Sequence, residues 1–254
     1  MINLNRNKTT KMKKIVISSL LVMLALTGLF GGTDSAQKTK NVPKTENRQT
    51  QKQEQPLDWA KFGRYEKANA ELKQSPVAVF MGDSITEGWA HIRKDFFKKN
   101  NYLGRGISGQ TSSEMLVRFR QDVLNLKPQY VAIMAGTNDV AENNGKIKVE
   151  NTFGNIVSMA ELANLHGIKV VLCSVTPTRK IFWREIPDDK ARIKKINKML
   201  KDYAKANGYV YVDYYAALVD ETEGLPLRYS KDGVHPNADA YTIMEKLVMA
   251  ALAK

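Results

Sequence analysis

Three residues of this chain have the types and order that nucleophilic catalysis needs: Ser84, Asp232 and His235. Ser84 follows an apolar run over residues 77–81, which predicts a buried strand that ends in a tight turn. A serine hydroxyl becomes a nucleophile when a base takes its proton, an acid orients that base and N–H donors receive the oxyanion. Asp232 and His235 are close enough in sequence to supply the acid and the base from one loop. Together they predict a Ser-His-Asp triad with His235 as the general base for Ser84.

The turns after the first three predicted strands hold further groups for the same chemistry: Ser84, Gly109 and Asn138. The carboxyl ends of parallel strands meet at one edge of a sheet, where ligands bind, so these turns are expected to lie side by side. The backbone N–H groups of Ser84 and Gly109 and the side-chain amide of Asn138 are the predicted oxyanion donors. The alternative interpretations are that Ser84 only caps the following helix and that His235 is a helix-entry residue before a proline.

Apolar runs and helical periodicity alternate along the chain. The predicted strands cover about residues 77–81, 102–107, 130–134, 169–175 and 209–213. The predicted helices cover about residues 84–99, 112–126, 149–165, 188–206 and 237–252. This alternation predicts an α/β fold with a five-stranded parallel sheet and helices on both faces. The long loop at 176–187 is expected to form a lid or a substrate wall.

Local patterns make further predictions about packing. Thr111 and Glu114 have the spacing of a capping box. The buried side of the helix after Thr111 is expected to carry Met115, Val117, Phe119 and Val123. Asp58 is expected to be the N-cap of a helix that follows it. An aromatic and apolar stripe after it is expected to pack in the core: Trp59, Phe62, Tyr65 and Leu72.

Other polar and aromatic residues have competing interpretations. His91 and His166 lie in polar helical contexts and are expected on the surface. Asp83 and Asp139 stand beside predicted catalytic positions, and both are expected to bind backbone amides within their loops. For three residues, pocket formation and plain packing or exposure are equally compatible with the sequence: Trp89, Trp183 and Arg184.

Four segments of the chain resemble the sequence blocks of one family, the SGNH or GDSL-like hydrolases. The blocks are Gly82 to Thr86, Gly106 to Thr111 with Gly109, Gly136 to Asp139, and Asp232 to Pro236. They occur in the family's order over about residues 76–253, with Ile85 where the eponymous motif has leucine. The resemblance implies a flavodoxin-like three-layer α/β/α sandwich, the SGNH hydrolase fold. It also implies hydrolysis of esters through a serine acyl-enzyme, without metal or cofactor.

The N-terminal part of the chain differs in composition from the rest. Residues 1–36 contain a basic stretch and an apolar segment, which predict a signal peptide or an N-terminal membrane anchor. No cysteine follows that segment, so lipid attachment of the bacterial type is not expected. Residues 37–56 are almost free of apolar side chains and predict a polar disordered linker. The hydrolase domain is expected at 57–254, and the protein is expected to be exported to the periplasm, the cell envelope or the medium.

Charge and motifs exclude several other classes of function. The formal net charge is +13, but only +6 falls on residues 57–254, without an arginine-rich stripe, so no nucleic-acid partner is expected. The lone Cys173 excludes disulfides and cysteine metal sites and is expected to be a small buried hydrophobe. A G-x-G-x-x-G match at 104–109 lacks the acid that a dinucleotide site has after its next strand, so no cofactor is expected. Thr86 stands where the lipase elbow has glycine, which disfavours an α/β-hydrolase.

The resulting hypothesis is an exported serine esterase for short-chain acyl esters. O-acetyl groups on carbohydrate are the favoured target, because export implies an envelope or extracellular substrate and the resemblance is closest to acetylhydrolases and acetylesterases. The partner is then a small-molecule or glycan ester, with membrane contact only through an uncleaved N-terminal segment. Two alternatives stay open: a lysophospholipase or thioesterase for longer acyl chains, and a carbohydrate-binding protein that has lost turnover.

Overall fold

The computed structural model describes residues 58–253. The predicted signal or anchor at 1–36 and the predicted linker at 37–56 lie outside the described residues, so both stay predictions. Within the described range no helix combines the length and hydropathy that crossing a bilayer requires.

Five parallel strands form one sheet in the order β2-β1-β3-β4-β5. The strands are β1 (Ala78–Gly82), β2 (Tyr102–Gly106), β3 (Tyr130–Met134), β4 (Lys169–Cys173) and β5 (Val210–Val212). β1 pairs with β2 on one side and with β3 on the other, and Gly82 is level with Gly106 and Met134. The ends of three adjacent strands therefore meet around the turn that carries Ser84. The α/β fold with a five-stranded parallel sheet is confirmed.

Helices connect the strands and cover both faces of the sheet. They are α1 (Gly63–Ala70), α2 (Ser84–Ile92), α3 (Lys94–Lys99), α4 (Ser112–Asp122), α5 (Thr137–Val140), α6 (Val149–Leu165), α7 (Asp189–Asn207), α8 (Tyr214–Leu218) and α9 (Ala238–Leu252). The helix predicted over 84–99 is broken at Arg93, whose φ of −113° and ψ of 44° are not helical. A short 3₁₀ helix over Leu124–Leu126 follows α4. The short helices α5 and α8 lie in segments for which the sequence predicts no helix.

The strands alternate their side chains between two cores, which gives the three layers. Val79 and Met81 of β1 face the core beneath α4, α6 and α7, which contribute residues such as Phe119, Met159 and Ile196. On the other face, Phe80 packs with α2, α3 and α9. Trp89 is 1% exposed and stacks on Tyr241 of α9, with ring centroids 5.6 Å apart. Burial of each such large side chain stabilises the fold by roughly 1.5–3 kcal/mol.

Two of the predicted packing patterns are corrected by the structure. Met115, Phe119 and Val123 are buried as expected, but Val117 is 44% exposed because it lies on the outer side of α4. In the stripe near residue 58, Trp59 and Phe62 are exposed, since they precede α1 and no helix turns them inward.

One of the two predicted caps is confirmed. Glu114 accepts hydrogen bonds from both the backbone N–H and the hydroxyl of Thr111, which completes the capping box at the start of α4. Asp58 is not the N-cap of α1, because the helix begins later and its N-cap is Phe62. Asp58 instead accepts the N–H groups of Phe62 and Gly63 at 2.6 and 2.8 Å from the preceding turn.

Candidate active site

Ser84 is the first residue of α2, directly beyond the carboxyl end of β1. Asp83 caps the helix, because its Oδ1 accepts the N–H of Ile85 at 2.9 Å. The turn is so tight that a Cβ on Gly82 would lie 2.1 Å from Oγ1 of Thr86, which explains the glycine. Strand, glycine and cap thus place the Ser84 hydroxyl at the sheet edge, where it is half-buried.

The loop before α9 carries Asp232 and His235 and is held by its own hydrogen bonds. Oδ1 of Asp232 accepts the N–H groups of Val234 and His235 at 2.9 and 2.8 Å and the Ser230 hydroxyl at 3.0 Å. Gly233 adopts a φ of +80°, a left-handed conformation that favours glycine. The loop therefore curls around the Asp232 carboxylate and leaves its second oxygen free for the imidazole.

A continuous hydrogen-bonded chain joins the three residues. Nε2 of His235 lies 2.9 Å from Oγ of Ser84, and Nδ1 of His235 lies 2.7 Å from Oδ2 of Asp232. A carboxylate only accepts hydrogen bonds, so the imidazole proton belongs on Nδ1. The lone pair of Nε2 then faces the Ser84 hydroxyl. The structure brings together the acid, base and nucleophile predicted from the sequence, although Ser84 and His235 are 151 positions apart.

The two carboxylates nearest Ser84 have different electrostatic environments. Partial burial raises the pKa of Asp232, but hydrogen bonds from the backbone and ring of His235 and from Val234 outweigh it and lower the pKa to about 2. Burial raises the pKa of Asp83 to about 6, against the lowering effect of the Ile85 N–H and of His235. Asp232 accordingly stays ionised beside the imidazole well below neutral pH, whereas Asp83 takes up a proton as the pH falls through about 6.

The predicted oxyanion groups lie at the neighbouring strand ends. Gly109, in the turn after β2, has a φ of +81°, and Asn138 lies in α5 just after β3. Nδ2 of Asn138 donates to the carbonyl of Gln110 at 3.0 Å, which uses one of its two N–H bonds. Across residues 58–253, the N–H groups of Ser84 and Gly109 donate to no protein acceptor. Three N–H groups at the ends of adjacent strands are thus free to donate.

Asp83 binds a backbone amide within its own turn, as expected, whereas Asp139 binds the amide of a distant segment. Asp139 accepts the N–H of Ser112 at 2.9 Å and the hydroxyls of Ser112 and Thr152 at 2.5 and 3.2 Å. It is 1% exposed, and it ties the start of α4 to α5. The carboxylate therefore joins the turns that carry Gly109 and Asn138.

An open cleft of about 640 Å³ lies beside Ser84 and His235. Its lining combines apolar surface, to which Gly88, Ala90 and Gly104 contribute, with these polar or charged residues: Arg64, Tyr65, Glu87, His91, Lys94 and Ser108. Glu87 organises this wall, because it accepts a hydrogen bond from Arg64 at 2.7 Å and the N–H of Ser108 at 2.9 Å. Sequence reasoning did not single out Glu87, which looks like an ordinary residue of an amphipathic helix.

The structure assigns places to the residues left open by the sequence. Trp89 is core packing, whereas Trp183 is 38% exposed and donates from Nε1 to Oδ1 of Asn143 at 2.9 Å. Arg184 donates to the carbonyl of Glu142 at 3.0 Å, so the loop after β4 contacts the loop after α5. His91 and His166 are exposed, and Cys173 is buried, as expected.

Asn143 was missed by sequence reasoning. Its Nδ2 donates to Oδ1 of Asn138 at 2.9 Å and to the carbonyl of Gly109 at 3.2 Å. In the sequence it belongs to an Asn-Asn-Gly stretch that is typical of any turn. Only its spacing of five residues from Asn138 could have drawn attention to it.

No group of three or more His, Cys, Asp or Glu side chains in the described part of the chain is placed to hold a metal ion. Gly104 and Gly106 of the G-x-G-x-x-G match lie in β2 against α2. A Cβ on Gly104 would meet that of Ala90 at 2.4 Å, and one on Gly106 would meet the N of Glu87 at 2.3 Å. Close strand-to-helix packing accounts for both glycines.

Comparison with known proteins agrees with this geometry. Residues 80–243 match the GDSL-like lipase/acylhydrolase family. A GDSL-like lipase from Bacteroides thetaiotaomicron is 51% identical with a TM-score of 0.75, over 77% of this chain and 98% of that chain. An acetylxylan esterase from Geobacillus stearothermophilus has a TM-score of 0.58 at 18% identity, over 71% of this chain and 96% of that chain, and shares the fold.

Curated relatives match over shorter stretches. The uncharacterized lipoprotein YqeF of Bacillus subtilis is 35% identical over 116 residues, which are 39% of this chain and 48% of that protein. This chain spans less than half of the length of the curated relatives that it matches. The match at 80–243 contains the turns of Ser84, Gly109 and Asn138 and the loop of Asp232 and His235. The chain belongs to the GDSL-like lipase/acylhydrolase family, whose general chemistry is ester hydrolysis.

Proposed function

We propose that this protein is an exported serine esterase that removes short acyl groups, with O-acetyl esters of carbohydrate as the favoured substrates. The observation that carries the proposal is the hydrogen-bonded chain from Ser84 through His235 to Asp232, at 2.9 and 2.7 Å. Membership of the family implies ester hydrolysis in general. The catalytic residues, the length of the acyl group and the class of substrate are proposed in addition.

In the first half of the reaction, Nε2 of His235 takes the Ser84 proton as Oγ attacks the ester carbonyl carbon. Asp232 accepts the Nδ1–H and stabilises the imidazolium that forms. The carbonyl oxygen becomes an oxyanion, which receives the N–H groups of Ser84, Gly109 and Asn138. When the intermediate collapses, the carbon–oxygen bond to the alcohol breaks and His235 gives its proton to the leaving oxygen.

The second half regenerates the enzyme with water. His235 removes a proton from a water molecule that attacks the acyl-enzyme, and the same donors receive the second oxyanion. Collapse breaks the bond to Oγ, and the proton on Nε2 returns to Ser84. The carboxylic acid leaves, and Ser84 and His235 are then ready for another substrate. These steps use no metal or cofactor.

The cleft supports a polar alcohol as the leaving group. Charged and hydroxyl-bearing side chains line part of it, with Arg64, Glu87 and Lys94 among them. A sugar offers hydroxyl groups that these side chains can bind. Export rests on the apolar segment before residue 31, which lies outside the described residues.

Mass spectrometry after exposure to a fluorophosphonate tests the activated serine. The parent should gain one covalent adduct and Ser84→Ala none, because only Ser84 has an imidazole within hydrogen-bond distance of its hydroxyl among the described residues. Ser113→Ala, a change at an exposed serine of α4, is the matched control and should label like the parent. Labelling of the Ser84→Ala variant would contradict the assignment.

Turnover of p-nitrophenyl esters tests the acyl length. We expect the acetyl ester to be hydrolysed well ahead of the octanoyl ester and Ser84→Ala to show no turnover above background. A preference for octanoyl would favour a lipid acyl hydrolase. Glycan binding by Ser84→Ala, together with an inactive parent, would favour a binding protein instead.

A further inference from the structure

Asn143 makes three side-chain hydrogen bonds at the edge of the candidate oxyanion site. Its Nδ2 donates to Oδ1 of Asn138 at 2.9 Å and to the carbonyl of Gly109 at 3.2 Å, and its Oδ1 accepts from Nε1 of Trp183 at 2.9 Å. Its backbone N–H also donates to the carbonyl of Asn138 at 3.0 Å. One side chain thus connects two of the proposed oxyanion donors to the loop after β4.

These contacts determine which way the Asn143 amide points. The indole Nε1–H of Trp183 can only donate, so it must face the oxygen of Asn143. The carbonyl of Gly109 can only accept, so it must face the nitrogen. The two contacts independently require the same orientation, which leaves an N–H of Asn143 directed at Asn138.

The orientation of Asn138 follows from that of Asn143. An N–H donor on one side requires the oxygen of Asn138 there, and the Gln110 carbonyl on the other side requires its nitrogen. If the Asn138 amide were flipped, its N–H groups would face the N–H of Asn143 and its oxygen would face the carbonyl oxygen of Gln110. Asn138 is 3% exposed, so water cannot readily compensate for those losses.

We infer that Asn143 is a positioning residue that, together with Trp183, keeps the Asn138 amide N–H directed at the oxyanion. The inference rests on the proposed function, since it is Asn138 that contacts the substrate oxygen. A donor that is already oriented needs no reorganisation during the reaction, and such preorganisation is what makes oxyanion donors effective. Trp183 lies on the loop that the sequence predicts as a lid or a substrate wall, so that loop also supports the site.

Double-mutant kinetics separate positioning from a general structural role. Asn143→Ala should lower kcat for p-nitrophenyl acetate by roughly tenfold or more with little change in KM, within the 10²–10³-fold loss typical of a whole oxyanion donor. In an Asn138→Ala background the same change should have no further effect, because no amide remains to be oriented. Trp183→Phe keeps an aromatic ring but removes the N–H, and it should give a smaller loss of kcat.

Asn144→Ala is the matched control. Asn144 is the next residue, and its amide donates to Oγ1 of Thr111 and Oε2 of Glu114 at 3.2 and 2.7 Å without a contact to Asn138. It ties the same loop to α4, so a loss of kcat from loosening this loop would appear in both variants. The inference predicts that Asn144→Ala keeps the parent kcat.

NMR of the Asn138 side-chain amide gives a second measurement that needs no turnover. Its two proton signals, identified by their disappearance in Asn138→Ala, should be distinct and slow to exchange in the parent and in Asn144→Ala. In Asn143→Ala they should shift and exchange faster. Unchanged signals in Asn143→Ala, or equal losses of kcat with and without Asn138, would overturn the inference. A parent that hydrolyses no ester would contradict the proposed function, while the amide signals would still decide whether Asn143 orients Asn138.

Discussion

Two carboxylates support the segments that carry Ser84 and His235, and their surroundings give them different tasks. Asp232 receives N–H donors on both oxygens, which stabilise its ionised form and lower its pKa to about 2. Asp83 is 2% exposed and receives a single N–H, from Ile85, so burial dominates and raises its pKa to about 6. One group orients the imidazole, and the other holds the turn at some cost in stability.

Asp83→Asn should stabilise the protein at neutral pH, because it removes a buried charge and keeps an oxygen for the Ile85 N–H. The unfolded chain loses the Asp83 proton near pH 4 and the folded chain near pH 6. Between these values the folded state binds more protons, so stability falls as pH rises. We expect the free energy of unfolding of the Asp83→Asn variant to exceed that of the parent by up to about 3 kcal/mol at pH 7.5 and to match it near pH 4. Urea unfolding at both pH values measures the difference.

The control for this prediction is Asp95→Asn, a change at an exposed aspartate of α3. It should give no comparable gain in stability at pH 7.5. A difference between Asp83→Asn and the parent that is the same at both pH values would show that burial of charge is not its cause.

At the scale of elements, a fully buried ion pair within α4 holds Arg118, which joins this helix to the serine turn. Arg118 and Asp122 are 0% exposed, and their side chains meet at 2.9 Å within one turn of the helix. Arg118 also donates to Oε1 of Gln110 at 2.5 Å and to the carbonyl of Gly82 at 3.1 Å. The guanidinium thus fixes the end of β1 relative to the turn after β2, which are the two segments that present Ser84 and Gly109.

Arg118→Met should cost about 3–5 kcal/mol of stability, because it leaves the Asp122 carboxylate buried without its charged partner. Adding Asp122→Leu should recover a large part of that loss. Urea unfolding of the two variants and the parent measures both steps. Lys198→Met is the control, since Lys198 pairs with Asp202 at the same helical spacing but on the surface, and it should cost less than about 1 kcal/mol. An equal cost for Arg118→Met and Lys198→Met would contradict the prediction.

The regular elements could be predicted because their signals are local. The strand at Tyr130–Met134 and the helix at Val149–Leu165 match the predicted bounds, since apolar runs and helical periodicity mark both. The helices α5 and α8 have only four and five residues, too few to show a period. Val117 was assigned to the wrong side of α4 because an apolar residue type alone does not place it on a face.

The site could be predicted where chemistry and strand order suffice. Ser84 follows the end of a predicted strand, and the parallel sheet brings the turns of Ser84, Gly109 and Asn138 together. Asp232 and His235 could be paired because they are three residues apart in one loop. The roles of Asn143 and Glu87 could not be predicted, because both depend on hydrogen bonds to other segments of the chain. An asparagine in a turn and a glutamate in a surface helix are ordinary in sequence.

At the scale of the whole molecule, every proposed site residue lies within residues 58–253, and the family match covers 80–243. The GDSL-like lipase from Bacteroides thetaiotaomicron aligns over 98% of its own length with 77% of this chain. A protein that begins at Leu57 should therefore fold and hydrolyse p-nitrophenyl acetate with the kcat/KM of the full chain. Urea unfolding and turnover of both proteins check this, and a clearly slower short form would show that the first 56 residues contribute to catalysis.

The proposed nucleophile and its proposed base come from segments far apart in this domain, and the helices next to them are joined to each other. Tyr241 of α9 donates to the carbonyl of Ile85, and Glu245 of α9 pairs with Arg93 at 2.7 Å. During biosynthesis the ribosome therefore releases the Ser84 turn long before the segment that carries His235. A nascent chain can complete β1 to β4 and still lack the proposed general base. The proposed hydrolysis therefore has to wait until α9 has been synthesised and has docked.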